Sequence, residues 1–315
     1  MMLRTLALLT AVNAWQPMAS SSRLLSTRLN AEKVPFAKYH GLGNDFILID
    51  NRQQQDPSLT PEQSVQLCDR NFGIGGDGVI FALQAADGYD FRMRIYNSDG
   101  SEPEMCGNGI RCFAKFLQDL GADQESYRID TLAGPIIPVM NADGTITVDM
   151  GEPILKGSDV PTTLAANADA DSVVEQTMEA NGKTWKVSAV SMGNPHAIIF
   201  VDDLEKDIDF ATDGPALEKA AEFPAKTNVE FVQVMADDHL KMKVWERGAG
   251  PTLACGTGAC ALTVAAIRAG KIPRGNNVRV TLPGGDLFIE WRESDNKVYM
   301  SGPAQFAFEG HAAIL

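Results

Sequence analysis

Two similar phrases, one in each half of the chain, constrain its architecture more than any other feature of the sequence. They span residues 94–110 and 243–259, and each has an alternating, strand-like opening followed by a glycine-rich turn. Each then reaches a Cys-Gly-x-Gly motif, at Cys106 and at Cys255, that leads into an apolar pattern of helical period. The sequence therefore predicts two cysteines, each at the start of a helix, in two related parts of the fold.

The repetition extends well beyond the cysteine motifs. Residues 43–50 reappear as residues 193–202, and they precede their respective cysteines by almost the same number of positions. A repeat of about 150 residues is too long for a solenoid unit and fits a duplicated domain. Chance similarity between glycine-rich loops does not account for order, spacing and flanking periodicity agreeing together. We predict a first domain over residues 33–152 and a second over 153–299.

Composition limits the class of protein. The chain has 315 residues, 44% of them hydrophobic and 22% charged, which is ordinary for a globular protein with room for two domains. Its net charge of −14 argues against a general nucleic-acid or anionic-membrane partner. The five cysteines include no Cys-x-x-Cys pair, and their spacing suits neither a disulfide framework nor a tetrahedral zinc site.

Residues 1–31 have the composition of a targeting presequence. They contain three arginines and neither Asp nor Glu, and a short apolar stretch ends in small residues suited to signal cleavage. A Ser- and Arg-rich segment follows, typical of an organelle transit peptide. A signal followed by a transit segment resembles the bipartite presequences of algae with secondary plastids, with Trp15 in the place of the usual phenylalanine. We expect import into the plastid stroma, with a mitochondrial presequence second and secretion third.

Cys106 and Cys255 differ from the other three cysteines because each precedes a glycine at a predicted helix N-terminus. Free amides and the helix dipole stabilise an anion there, which predicts a lowered thiol pKa. The same amides can hold a substrate carboxylate, and the glycines let a ligand approach them. Cys68, Cys112 and Cys260 lie on helical stripes, and we expect them in the core.

Two such thiols facing one carbon define a chemical hypothesis. One thiolate removes a proton from one face, the other thiol supplies a proton to the opposite face, and the configuration inverts without a redox cofactor or a metal. His196 and Glu246 are the best candidates to tune the two protonation states. A lone histidine in a Gly-Asn-Pro-His turn is more often structural. We choose His196 and Glu246 because both lie inside the repeated segments.

Seven segments closely resemble diaminopimelate epimerases, and the resemblance covers about residues 34–312. They are residues 40–46, 97–102, 106–111, 193–196, 227–230, 246–250 and 254–259. The resemblance implies an α+β fold of two pseudo-symmetric domains, each a mixed, barrel-like sheet around a central helix, with the active site between them. It also implies that the C-terminal strand, within residues 300–315, packs on the first domain.

The implied activity is reversible conversion of LL-2,6-diaminopimelate to the meso form in lysine biosynthesis, without pyridoxal phosphate or any other cofactor. Cys106 and Cys255 would be the two bases, with His196 and Glu246 influencing their protonation. The resemblance implies substrate contacts at Asn44, Asn97, Gly107, Asn108, Asn194, Asn228, Glu246, Arg247, Gly256 and Thr257. Family members dimerise, and Phe308 is a candidate interface residue.

Two positions depart from the family pattern. Gly78 stands where bacterial relatives often have a glutamine that contacts substrate, which puts that contact in doubt. Pro251 stands where an acidic residue is frequent, with no obvious chemical consequence.

Four other interpretations compete. Residues 73–78 match the G-x-G-x-x-G pattern, but the predicted order of helix before and strand after is the reverse of a dinucleotide site. Proline racemase and hydroxyproline epimerase share the paired-cysteine logic, although the Asn-rich contacts favour diaminopimelate. A catalytically inactive binding protein is disfavoured because both cysteines keep their glycine-rich surroundings. A redox sensor with a Cys106–Cys255 disulfide is a hypothesis about regulation.

Overall fold

A computed structural model describes residues 33–168 and 171–314. The predicted presequence, residues 1–31, lies outside this range. Four α-helices are present among the described residues: α1 (Pro61–Cys68), α2 (Gly107–Asp119), α3 (Phe210–Glu218) and α4 (Gly256–Arg268). No helix in the described part of the chain is long and apolar enough to cross a membrane.

The strands form two large mixed sheets. The first sheet has seven strands, in the order β18-β1-β2-β3-β4-β5-β6. Their bounds are β1 (Lys33–Gly41), β2 (Asn44–Asn51), β3 (Gly78–Leu83), β4 (Phe91–Asn97), β5 (Ile129–Thr131), β6 (Gly134–Ile136) and β18 (Gln305–Ala313).

The second sheet has eleven strands, in the order β7-β8-β17-β16-β15-β13-β12-β11-β10-β9, with β14 paired to β13. Their bounds are β7 (Val139–Met140), β8 (Ile146–Asp149), β9 (Val173–Ala180), β10 (Lys183–Ser191), β11 (Pro195–Phe200), β12 (Asn228–Ala236), β13 (His239–Glu246), β14 (Gly250–Pro251), β15 (Val278–Leu282), β16 (Gly285–Trp291) and β17 (Val298–Gly302).

One helix lies at the centre of each sheet. Helix α2 buries an apolar face that includes Ile110, Phe113 and Leu117, all with no exposed surface. Helix α4 is apolar on every side and almost entirely buried within the second sheet's core, as a helix enclosed by a curved sheet must be. The predicted α+β fold of two similar domains, each a mixed sheet around a central helix, is confirmed.

Strand register shows that the two halves are built alike. Strand β2 runs parallel to β3 with Phe46 opposite Gly78, and β11 runs parallel to β12 with His196 opposite Asn228. In both halves the next strand is antiparallel, and it carries Asn97 at its end in the first half and Glu246 in the second. Residues that occupy the same register position in the two halves are called equivalent below.

Strands from the far end of the chain and from its middle join the two halves. Strand β18 pairs with β1 at the edge of the first sheet, whereas β8 pairs with β17 in the second sheet through Val148 and Met300. Backbone hydrogen bonds therefore cross between the halves in both directions, which fixes the cleft between them. The domain boundary at residue 152 stays a prediction.

The segment 157–182 is rich in Ala and Asp and weakly patterned, which predicts a surface connection with a poorly defined helix. The structure differs from this prediction. The segment contains a short 3-10 turn at Gly157–Asp159 and then strand β9, which pairs antiparallel with β10. The alternation within β9 is weak because only Val173 and Met178 are buried. The strand conformation of β9 is therefore set by its pairing with β10, and the sequence pattern of β9 alone does not indicate this pairing.

Candidate active site

Both halves contribute to one cleft with a cavity of about 960 Å³, and Cys106 and Cys255 both line it. The cavity wall also includes eight other predicted site residues: Asn44, Asn97, Gly107, Asn108, Asn194, Glu246, Gly256 and Thr257. The remaining three lie around it. His196 and Asn228 are buried behind the wall, and Arg247 is exposed.

Each cysteine is the N-cap of its central helix. The sulfur of Cys106 accepts a hydrogen bond from the amide of Gly109 at 3.4 Å, and that of Cys255 accepts one from Gly258, also at 3.4 Å. Side chains with an oxygen normally take this role, because the first amides of a helix have no partner within it. Here thiols take it, and the first two residues of each helix line the cavity: Gly107, Asn108, Gly256 and Thr257.

A hydrogen-bonded pair of polar side chains lies beside each thiol, and the two pairs occupy equivalent positions in the two halves. Asn108 donates to the side-chain oxygen of Asn44 at 3.1 Å, and in the other half Asn194 donates to the hydroxyl of Thr257 at 3.3 Å. The oxygen of Asn44 lies 4.0 Å from the sulfur of Cys106, and the Thr257 hydroxyl lies 3.6 Å from the sulfur of Cys255. Each thiol therefore lies beside two hydrogen-bonded polar side chains that come from its own half.

A buried pair of ionisable side chains lies behind Asn194 in the second half. His196 Nδ1 is 2.7 Å from Glu230 Oε1, and neither side chain has any exposed surface. His196 Nε2 is 3.0 Å from the side-chain oxygen of Asn194, so Nε2 carries a hydrogen and donates. The pair thereby fixes the orientation of the Asn194 amide toward the cleft.

The role of Glu230 was not predicted, although the residue lies in one of the seven segments. A carboxylate in the otherwise apolar run Val229–Val232 was the available signal, since such groups are rarely buried without a partner. Its second oxygen, Oε2, has no hydrogen-bond partner among the described residues. In the first half the equivalent positions hold Phe46 and Ile80, so this pair breaks the symmetry of the site.

Glu246 is one of three residues with a carboxyl group in the cavity wall, the others being Asp77 and Glu104. It accepts a hydrogen bond from the hydroxyl of Thr252, and its equivalent in the first half is the amide of Asn97. Burial raises the pKa of the Glu246 carboxyl, and the nearby Glu230 raises it further, while the Thr252 hydroxyl and His196 lower it.

The expectation of lowered thiol pKa values is wrong for the structure without substrate. Burial raises the pKa of Cys106, although the amides of Gly109 and Asn108 and the charge of Arg111 lower it. Burial also raises the pKa of Cys255, well above its ordinary value, and the carboxylates of Glu246 and Glu230 add to the effect, while the Thr257 hydroxyl and the Gly258 amide lower it. The helix N-termini act in the predicted direction, but burial outweighs them.

The other three cysteines lie in the core, as predicted. Burial raises the pKa of Cys68 to about 11 and the pKa of Cys112 and of Cys260 to about 12, so these thiols stay protonated at neutral pH. All five cysteines are free. Within the described ranges, no cluster of three or more His, Cys, Asp or Glu side chains is arranged to hold a metal ion.

Gly78 has a structural requirement of its own. A Cβ atom at this position would lie 2.8 Å from the carbonyl oxygen of Tyr96, which belongs to the neighbouring strand β4. Any side chain here therefore needs a backbone shift, and the cavity wall carries no side chain from this position.

Comparison with solved structures defines the fold class. A phenazine biosynthesis protein of the PhzF family from Bacillus anthracis superimposes with a TM-score of 0.66 at 16% sequence identity, covering 89% of this chain and 99% of its own. A hydroxyproline epimerase from Agrobacterium vitis superimposes with a TM-score of 0.61 at 14% identity, covering 89% of this chain and 91% of its own. The chain thus has the duplicated two-domain fold that these proteins share.

Sequence comparison identifies the family within that fold. The family model described as diaminopimelate epimerase matches residues 36–156 and 188–307. A relative from Synechocystis sp. named diaminopimelate epimerase is 58% identical over 282 residues, covering 89% of this chain and 99% of its own. One from Oryza sativa subsp. japonica, named diaminopimelate epimerase, chloroplastic, is 52% identical over 306 residues, covering 93% of this chain and 84% of its own. The chain belongs to the diaminopimelate epimerase family.

The buried His196–Glu230 pair generates a stability prediction. We expect His196→Ala to lower the free energy of unfolding by about 3–5 kcal/mol, because it leaves the Glu230 carboxylate buried without a partner. The double variant His196→Phe/Glu230→Ile installs the residues of the equivalent positions. We expect it to recover most of that loss, since apolar packing often replaces a buried ion pair at little cost. Urea unfolding followed by circular dichroism measures both.

The single variant Glu230→Ile is the matched control, since it leaves His196 without its carboxylate. A double variant as unstable as His196→Ala would show that the pair is required for folding itself. That result would contradict the view that it serves the site.

Proposed function

We propose that the chain catalyses the conversion of LL-2,6-diaminopimelate to meso-2,6-diaminopimelate, in lysine biosynthesis, by cofactor-independent two-base chemistry. The observation that carries the proposal is the pair of cysteine N-caps, one from each half, that line a single cavity. The names of the curated relatives supply the substrate.

Cys106 and Cys255 act as base and acid at one α-carbon of the substrate. The amides at the starts of α2 and α4 bind the carboxylate next to that carbon, and they stabilise the charge that builds on it when the proton leaves. A thiolate takes the α-proton and becomes a thiol, and the opposite thiol gives its proton to the other face and becomes a thiolate. The thiols then exchange protons with solvent to restore the starting state.

Neighbouring polar groups suit a substrate with a second amino-acid head. Asn97 and Glu246 lie in the cavity wall at equivalent positions, so an amide and a carboxylate are available to the distal ammonium and carboxylate groups. Arg247 lies at the edge of the site and donates to the carbonyl of Ala225. We assign it to the distal carboxylate, which requires that this hydrogen bond be exchanged when substrate binds.

The test of the proposed function uses alanine variants of both thiols. We expect Cys106→Ala and Cys255→Ala each to lose epimerase activity, by at least about 1,000-fold, because each face of the carbon needs its own acid or base. Proton NMR of the chain from residue 33 onward, with LL-diaminopimelate in D2O and a thiol reductant, measures both meso product and α-deuterium uptake.

Cys112→Ala is the matched control, since this thiol lies on the same helix as Cys106 but in the core. It tests whether loss of a cysteine as such impairs the protein. Parental activity in Cys255→Ala would contradict the two-base assignment. Exchange with proline or hydroxyproline, and none with diaminopimelate, would overturn the substrate.

We propose further that residues 1–31 direct the protein to a plastid. Their composition and the chloroplastic relative from rice support this. We expect residues 1–31 fused to a fluorescent protein to accumulate in plastids of the source cells. Replacing Arg4, Arg23 and Arg28 by glutamate should abolish import, because such targeting segments are basic. Accumulation in mitochondria would contradict the proposal and favour the alternative presequence.

We also propose that the protein is a homodimer that associates through β18. This strand is an edge of the first sheet, and it exposes Phe306 and Phe308 by 49% and 47%. Unpaired edge strands with exposed apolar residues favour association with another chain. We expect Phe308→Asp to convert dimer to monomer in sedimentation equilibrium, and Phe72→Asp, at a 93% exposed residue elsewhere, to leave the dimer intact. A parental protein that is monomeric would contradict the proposal.

A further inference from the structure

Arg111 is the largest side chain with no exposed surface in the described part of the chain. It lies under the first turn of α2, and its guanidinium donates to Asn108 Oδ1 at 2.9 Å and to the carbonyl of Gly107 at 3.3 Å. It also contacts the carbonyl of Pro303 and the sulfur of Met300. All four acceptors are neutral.

No carboxylate pairs with this guanidinium among residues 33–168 and 171–314. Burial lowers the pKa of Arg111, yet an arginine stays protonated in proteins, so the charge is retained. A buried charge without a counter-ion is costly, and the structure recovers part of that cost wherever an anion forms nearby. Two of its hydrogen-bond acceptors, Gly107 and Asn108, directly follow Cys106 in the chain.

The second half carries no such cation. Arg111 is the fifth residue after Cys106, and the fifth residue after Cys255 is Cys260, a neutral thiol in the core. The second half instead carries acidic side chains near Cys255, at positions that are neutral in the first half. Glu246 and Glu230 stand where the first half has Asn97 and Ile80. The two thiols are alike in backbone geometry, but Cys106 alone has a buried arginine on the helix that it caps. Arg70, Asp77 and Glu104 also line the shared cavity, and Asp77 accepts a hydrogen bond from Asn44 beside Cys106.

We propose that Arg111 is a positioning residue that makes Cys106 the thiol that ionises first in the protein without substrate, while Cys255 keeps its proton. This proposal rests on the acid and base roles proposed above. Arg111 supplies the counter-charge for the Cys106 thiolate through the first turn of α2. It also orients the Asn108 amide, whose nitrogen donates to Asn44 beside that sulfur.

Other groups act on the two thiols and set the size of the difference. Glu246 raises the pKa of both cysteines, so its charge opposes Arg111 at Cys106. The Thr257 hydroxyl lowers the pKa of Cys255, whereas the nearby carboxylates of Glu246 and Glu230 raise it. His196 lies 2.7 Å from Glu230 and lowers the pKa of Glu246, so it opposes the effect of the acids near Cys255. Arg111 has only neutral hydrogen-bond acceptors among the described residues, which is why we assign the order to its charge.

The test measures ionisation directly, without substrate. The protein from residue 33 onward is exposed to pulses of iodoacetamide across a pH series, and mass spectrometry quantifies alkylation of the peptides that contain Cys106 and Cys255. The pH midpoint, unlike the absolute rate, separates ionisation from access. We expect the Cys106 midpoint to lie below that of Cys255. Because the assay needs no turnover, an inactive protein with this order would refute the proposed function and leave the inference standing.

Variants of Arg111 assign the cause. We expect Arg111→Met to raise the Cys106 midpoint by about one pH unit, a tenfold change in thiolate at lower pH, with the Cys255 midpoint unchanged. Arg111→Lys keeps the charge and should keep the order. An unchanged Cys106 midpoint in a folded Arg111→Met variant overturns the proposal. If Arg111→Met does not fold, the order of ionisation in the parental protein still tests the proposal. Ionisation of Cys255 at a lower pH than Cys106 would contradict it.

Discussion

A cysteine in place of the usual oxygen-bearing residue at a helix N-cap is the interaction on which the rest of the site depends. It fixes each sulfur against the amide of the third helical residue, and the first two residues of each helix line the same cavity. The thiol is therefore held by the same groups that can bind a carboxylate. Because α2 and α4 are each packed in the core of their own half, the backbone that carries each thiol is held in place.

Duplication explains how two such thiols come to face one cavity, and departures from it explain how they differ. The register of β2, β3 and β4 matches that of β11, β12 and β13, so the backbone presents both cysteines alike. Side chains at equivalent positions then break the symmetry. The first half has Phe46 and Ile80 where the second half has His196 and Glu230. An acid and a base of the same residue type need such a difference, since only one should carry the proton at any moment.

Most of the fold was predictable from the sequence, because repeated motifs report what local structure both halves need. The same motifs carry most of the predicted site residues, and the structure brings these to one cavity. The cysteine helices begin within one or two residues of their predicted starts, as the Cys-Gly-x-Gly motif directs. Strand β9 was not predicted, because its conformation depends on pairing with β10. The raised thiol pKa values and the role of Glu230 depend on burial, which follows from tertiary packing and leaves little trace in a short sequence window.

In the proposed two-base chemistry, two different groups handle the proton on opposite faces of one carbon, and the fate of an isotope distinguishes this from chemistry by a single group. LL-diaminopimelate deuterated at both α-carbons, in ordinary water with enzyme in excess, is converted once and the meso product is analysed by mass spectrometry and NMR. Two bases predict hydrogen at the inverted centre and deuterium at the other, because the removed deuteron stays on the first thiol. Deuterium retained at the inverted centre would mean that a single group removes and returns it, and would contradict the account.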